Sequence, residues 1–192
     1  MIQLHRMAAA AALLLAAATH PASAAEDDWS HDFDFDLGTW KTHSTRLMHP
    51  LAHSAASSAS DWADLDGVTV VKPIWGGKAN LAELKSDGPG GHVELLSLRW
   101  YNAKTRQWSL DFATSKGGVL GTPGVGEFKN GRADFYDQED FNGRAIFVRF
   151  SIWPVDKDTS RSEQAFSDDG GKTWEVNWKT TYTRVPDQPS PT

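Results

Sequence analysis

From Gly38 onward, apolar and polar residues alternate in short runs, and helical periodicity is nearly absent. Period-2 alternation over four to ten residues, bounded by Gly, Asn, Asp and Pro, is the signature of half-buried strands. It predicts strands at Trp40–Leu47, Gly67–Trp75, Ala79–Lys85, Val93–Tyr101, Gln107–Thr114, Val125–Lys129, Arg132–Gln138, Arg144–Trp153, Arg161–Phe166 and Thr173–Arg184. Pro73 marks an edge or bulge, and Pro154 ends the strand before it. Asn130-Gly131 favours a tight hairpin, because both residues tolerate positive φ. Many short strands, tight turns and no crossover helices predict an all-β antiparallel barrel or sandwich.

Two segments break the alternation. Asp27 to Asp36 is acidic with interspersed Trp29, Phe33 and Phe35, which predicts a short helical turn capping one end of the barrel. His49 to Ser60 is rich in Ala and Ser and reads as a loop with little to bury. The chain opens with a different pattern again. His5 and Arg6 precede an apolar run from Met7 to Ala18, and Ala22-Ser23-Ala24 offers a cleavage site. Residues 1–24 therefore read as a secretory signal, too short in its apolar run to span a membrane. The expected product is a periplasmic or secreted protein without a transmembrane segment. It would consist of one barrel domain over residues 25–184 and a proline-rich, disordered tail at 185–192.

Charge and composition narrow the chemistry. A net charge of −6 argues against non-specific nucleic-acid binding, which relies on a basic surface. The absence of cysteine removes disulfides, thiol catalysis and thiolate metal sites, so packing must stabilise the domain. Nine tryptophans supply bulk for that packing.

The run Phe33-Asp34-Phe35-Asp36-Leu37-Gly38-Thr39-Trp40 places a Gly-x-Trp turn at the start of the first strand. With it stand Pro73-Ile74-Trp75-Gly76-Gly77, Trp100-Tyr101-Asn102, Gln107-Trp108-Ser109 and the stretch from Ser167 to Glu175. Together, from about Phe33 to Arg184, they resemble the DUF1579 family, a group of often exported bacterial proteins with lipocalin-like barrels. The resemblance implies a calycin-type barrel of about eight to ten strands. It implies no activity, because the family has none assigned.

Several motifs suggest chemistry and have simpler readings. Ser167-x-Asp169-x-Gly171-x-Thr173-Trp174 is similar to the Asp-box of sialidases, in which the aspartate caps a tight turn and plays a structural part. Asp32-x-Asp34-x-Asp36 lacks the glycine and glutamate that an EF-hand requires, since Leu37 and His43 hold those places. Glycines between Gly117 and Gly126 lack the Lys-Ser/Thr of a phosphate loop and read as a hairpin or portal loop. His31, His43, His49, His53 and His92 all lie in the first half of the chain. None is placed on a late strand, where Gly-x-Trp barrels related to nitrobindin ligate haem, so no cofactor is expected.

What remains is a set of aromatic and polar residues on strand faces. Trp40, Trp75, Arg99, Arg149, Gln164 and Trp178 are the candidate ligand-binding residues, with aromatic rings for stacking and arginines for an anionic end group. The preferred reading is a non-enzymatic lipocalin-like carrier of a small hydrophobic or amphipathic molecule. Its alternatives are a hydrolase or isomerase using carboxylates such as Glu127, Asp137 or Glu163, and a protein-interaction module.

Overall fold

A computed structural model describes residues 31–52 and 61–186. Ten strands follow one another in the chain: β1 Gly38–Leu47, β2 Trp62–Ile74, β3 Ala79–Gly88, β4 Gly91–Asn102, β5 Gln107–Thr114, β6 Gly124–Lys129, β7 Arg132–Phe141, β8 Arg144–Pro154, β9 Thr159–Ser167 and β10 Glu175–Arg184. Each pairs antiparallel with its sequence neighbour, and β1 pairs with β10 to close the barrel. Closure leaves no free sheet edge. Strand bounds read from the alternation agree with the structure to within a few residues, except that β2 begins earlier and β10 begins later. The leader at 1–24, residues 53–60 and the tail beyond Pro186 lie outside the described residues, so those expectations stay as stated. Among the described residues no helix is long and apolar enough to cross a membrane.

Alternation sets which side chains enter the barrel. On β1, Trp40, Thr42 and Ser44 are buried while Lys41 and His43 are exposed. Register carries the inward rows across the wall: Trp40 faces Thr69 and Arg184, and Thr42 faces Gly67 and Tyr182. Where strands press closest, side chains are absent. A Cβ on Gly126 would lie 1.9 Å from the carbonyl oxygen of Asp134, so only glycine fits between β6 and β7 at that point.

One end of the barrel is plugged. A 3₁₀ turn at Asp34–Asp36 precedes β1, as the acidic segment predicts, and drives Phe33 into the interior. Phe33 packs edge-on against Trp108 at 4.8 Å and beside Phe128 and Phe135, both at 6.0 Å. Burying a phenylalanine of this kind contributes about 1.5–3 kcal/mol.

The plug is locked by Arg184 at the end of β10. Its guanidinium donates to the carbonyl oxygens of Leu37 (2.7 Å), Phe35 (2.7 Å) and Lys157 (3.1 Å). Its flat face covers the Trp40 ring at 4.0 Å, and the Trp40 indole N–H donates to the Asp36 carbonyl at 2.8 Å. Gly38 has φ +117°, and a Cβ there would meet the Arg184 guanidinium at 3.0 Å. The Gly-x-Trp pattern thus has a mechanical reason: glycine lets the chain turn beneath an arginine, and tryptophan carries that arginine's face.

The loop after β1 departs from its sequence reading in one respect. Leu51 is buried, joining Ile146, Val148 and Phe166 at the other end of the barrel, and its N–H donates to Glu175 Oε1 at 2.6 Å. Between β9 and β10 the Asp-box is a closed turn, as read. Asp169 accepts from the N–H groups of Lys172 and Thr173 and from the hydroxyls of Ser167 and Thr173, which holds its carboxyl far below the usual range.

Candidate functional site

Opposite the plug the barrel stays open, and a cavity of about 360 Å³ runs inward from that mouth. Its walls are mixed. Leu84, Leu95, Phe112, Phe150, Ile152 and Phe166 supply apolar surface, and Phe112 meets Phe150 edge-on at 5.3 Å. Polar groups enter from Ser97, Gln164, Asn177 and Tyr182. A few polar groups in an apolar hollow is the usual composition of a small-molecule site.

The cavity floor is an ion pair. Arg99 on β4 and Asp36 from the plug meet at 2.5 Å with side chains only 3% and 4% exposed. Phe33 presents its ring to the guanidinium at 4.6 Å. Sequence reading offers Arg99 as a cation for a ligand, but the structure matches its charge with Asp36. A buried guanidinium without such a partner would be strongly unfavourable, which explains why the plug carries an acid at position 36.

Two hydrogen bonds, one across strands and one within β10, steady the middle of the wall. Ser44 and Thr180 share one at 2.8 Å, and the Trp178 indole N–H donates to Thr180 Oγ1 at 3.1 Å. Lower down, Tyr182 and Ser162 share another at 3.0 Å, and burial pushes the tyrosine hydroxyl's pKa up.

Of the six sequence candidates, Arg99, Gln164 and Trp178 line the cavity together. Trp40 points inward but sits beyond the floor, against Arg184 and edge-on to Tyr182 at 6.5 Å. Trp75 is 74% exposed, in a turn past the end of β2 where Gly76 and Gly77 carry the chain into β3. Arg149 is on the outer face of β8, because its neighbours Val148, packed in the core, and Phe150, lining the cavity, are the ones that turn inward, and it stacks on Trp174 at 4.8 Å. Trp75 and Arg149 are therefore outside the cavity.

Arg46 and Glu139 also line the mouth, and the sequence reading passed over both. Arg46 would have been found by counting inward from Trp40 along β1. Glu139 falls beyond the expected end of its strand, which runs on to Phe141.

The carboxylate alternative looks different in space. Glu127 is exposed on the outer face of β6 beside Lys129, and Glu163 also faces outward, between the inward Ser162 and Gln164. Only Asp137 turns inward, and its neighbour on the same face is Glu139. Burial, and then the Glu139 charge, raises Asp137 to about 7; burial raises Glu139 as well. Asp137 lies beside Gly124 at the start of β6, where a Cβ would come within 3.5 Å of its carboxylate, and only three residue pairs join β5 to β6 there.

That raised pKa has a stability consequence. An acid at 3.8 when unfolded and about 7 when folded binds more protons in the folded state. Its penalty is absent below pH 4, grows through pH 4–7 and is constant above. Three units set a ceiling near ~4 kcal/mol, which partial access to water reduces to about 1–2 kcal/mol. Asp137→Asn is expected to stabilise the protein by that amount at pH 8 and not at pH 4, as measured by urea unfolding at the two pH values.

The remaining motifs resolve into local contacts. Asp32 accepts from the Trp108 indole at 3.1 Å, Asp34 meets His31 at 2.9 Å, and Asp36 turns to Arg99, so the three acids diverge. His43 and His92 each pair through Nδ1 with an exposed aspartate, and His49 pairs likewise with the largely covered Asp61. Among the described residues no group of three His, Cys, Asp or Glu is placed to hold a metal ion.

Comparison with solved structures gives the same architecture. The S-type phycobiliprotein lyase CPES from Guillardia theta superposes with a TM-score of 0.52 at 12% identity, covering 81% of this chain and 92% of the lyase. A de novo designed fluorescence-activating β-barrel gives 0.40 at 11% identity over 79% of this chain and 95% of the design. No protein-family model and no curated protein matches the sequence. The fold is a closed antiparallel β-barrel of ten strands.

Proposed function

We infer that this is an exported carrier that holds a small hydrophobic or amphipathic molecule inside its barrel. One observation carries the reading: a barrel sealed at one end by Phe33 and the Arg99–Asp36 pair keeps a cavity of about 360 Å³ open at the other. A barrel needed only as a scaffold would fill that volume with side chains, because a void forfeits packing contacts. The leader at 1–24 supports a periplasmic or secreted location, and the motifs from Phe33 to Arg184 support membership of the DUF1579 family. Likeness to the lyase contributes the fold to this reading and not the lyase's reaction.

Native mass spectrometry on protein released from its own periplasm, without detergent or refolding, tests the reading. The expected spectrum shows cleavage after Ala24 and a reproducible mass excess that disappears on denaturation. A clean apo mass across growth conditions would overturn the carrier assignment.

A further inference from the structure

Three inward residues on neighbouring strands stand side by side at the mouth. Arg46 on β1 is directly opposite Trp178 on β10, and Trp178 is directly opposite Gln164 on β9. Phe150 on β8 continues the row beyond Gln164. All four line the cavity. We propose that this row is the recognition site of the carrier for a planar, conjugated monocarboxylate. The inference rests on the carrier reading and names its ligand class.

Each member contributes a distinct feature. Trp178 is a fixed stacking surface, since its indole N–H is held by Thr180 and its ring carries the Arg46 guanidinium at 5.6 Å. Flexible chains gain little from such a plane, whereas a conjugated ring system gains stacking over its whole face. Arg46 supplies the charge. Arg99, Arg132, Arg144 and Arg184 each have a carboxylate nearby, but Arg46 has none among the described residues. Its fork therefore remains available for a ligand carboxylate, the geometry a guanidinium matches best. The Gln164 side chain, which lines the cavity, makes no hydrogen bond among the described residues and offers a donor and an acceptor to a polar edge of the ligand.

Charge distribution decides where the anion lies and how many there are. At the floor Arg99 is already neutralised by Asp36, so an anion there would be buried without compensation. At the mouth, Glu139 lines the cavity from β7, across the barrel from β1, and opposes a second negative group on that side. One carboxylate, at the Arg46 end, satisfies both constraints.

Isothermal titration calorimetry with three probes tests the assignment: naphthalene-2-carboxylate, its uncharged analogue naphthalene-2-carboxamide, and decanoate. The expected result is that the naphthoate binds, and that Arg46→Gln weakens it about tenfold or more while changing the carboxamide less than twofold. Trp178→Leu is expected to weaken both ring probes and leave decanoate unchanged, with Trp178→Phe restoring part of the loss. Near-UV circular dichroism confirms the fold of each variant, and Arg46, half-exposed at the rim, is the safer site. Decanoate binding with no naphthoate binding would overturn the ligand class and leave the carrier reading standing. Naphthoate binding that ignores Arg46→Gln would overturn the role of the row. If none of the three probes binds, this inference is overturned, and the native mass spectrum decides the carrier reading separately.

Discussion

Arg184→Ala is expected to lower the unfolding free energy by about 3–4 kcal/mol and the melting temperature by roughly 10 °C. The side chain donates to the carbonyls of Leu37, Phe35 and Lys157 and covers Trp40. A hydrogen bond from a charged donor is worth about 1.5–3 kcal/mol, and the cation–π contact adds about 0.5–1. Those values do not simply add, because the side chain is 29% exposed and water replaces part of what is lost. Arg184→Lys is expected to recover less than half, since a single ammonium cannot span three divergent carbonyls. Urea unfolding gives the energies, and hydrogen exchange at Asp36 and Leu37, whose N–H groups close the 3₁₀ turn, locates the loss. A change below about 1 kcal/mol would mean that Phe33 packing and the Asp36 contacts hold the plug without Arg184.

Asp36→Ala is expected to cost about 3–5 kcal/mol, because it strands the Arg99 charge in a nearly water-free floor. The informative comparison is with the double variant Asp36→Leu, Arg99→Met. Removing both charges avoids the desolvation of either, so the double variant should be more stable than Asp36→Ala. A double-mutant cycle over the pair is expected to give a coupling of about 2 kcal/mol or more. Additive effects would show that the two side chains do not depend on each other, contrary to their 2.5 Å contact.

The contrast between these two arginines shows what the sequence makes legible. Gly38, Trp40 and the alternation of β1 announce a barrel and its first strand, because each is a local pattern read over a few residues. The hairpin at Asn130-Gly131 is equally local, and both residues adopt positive φ, 54° and 78°. The partners of Arg99 and Arg184 are not local. Arg99 meets Asp36 across 63 positions, and Arg184 meets Leu37 across 147.

Within the site, legibility follows the same rule. Alternation places Gln164 and Trp178 on inward faces, but it cannot say that Arg46 is level with them. That depends on register between strands more than a hundred residues apart. Parity errors have no half measures either: a shift of one residue exchanges Arg149 for Phe150 and moves the charge from cavity to surface. Trp75 fails for a third reason, since strand character ends one residue earlier and the ring is carried out into a turn. Glu139 escapes notice because the alternation predicts a strand that ends at Gln138, one residue too soon. At an open mouth, a strand tolerates inward acids that a closed apolar core would reject.

The lock formed by Arg184 also imposes an order on construction. Nine strands can pair hairpin by hairpin, each with the neighbour just made. Yet the wall has two open edges, and the N-terminal plug has no clasp, until the final strand arrives. Closing β1 onto β10 joins nearly the whole chain into one loop, the slowest kind of contact to find. A chain stopped before β10 would thus be a sheet with a loose stopper, exposing apolar surface on one face and unpaired strands at both sides. The last strand is the part that turns an open sheet into a barrel.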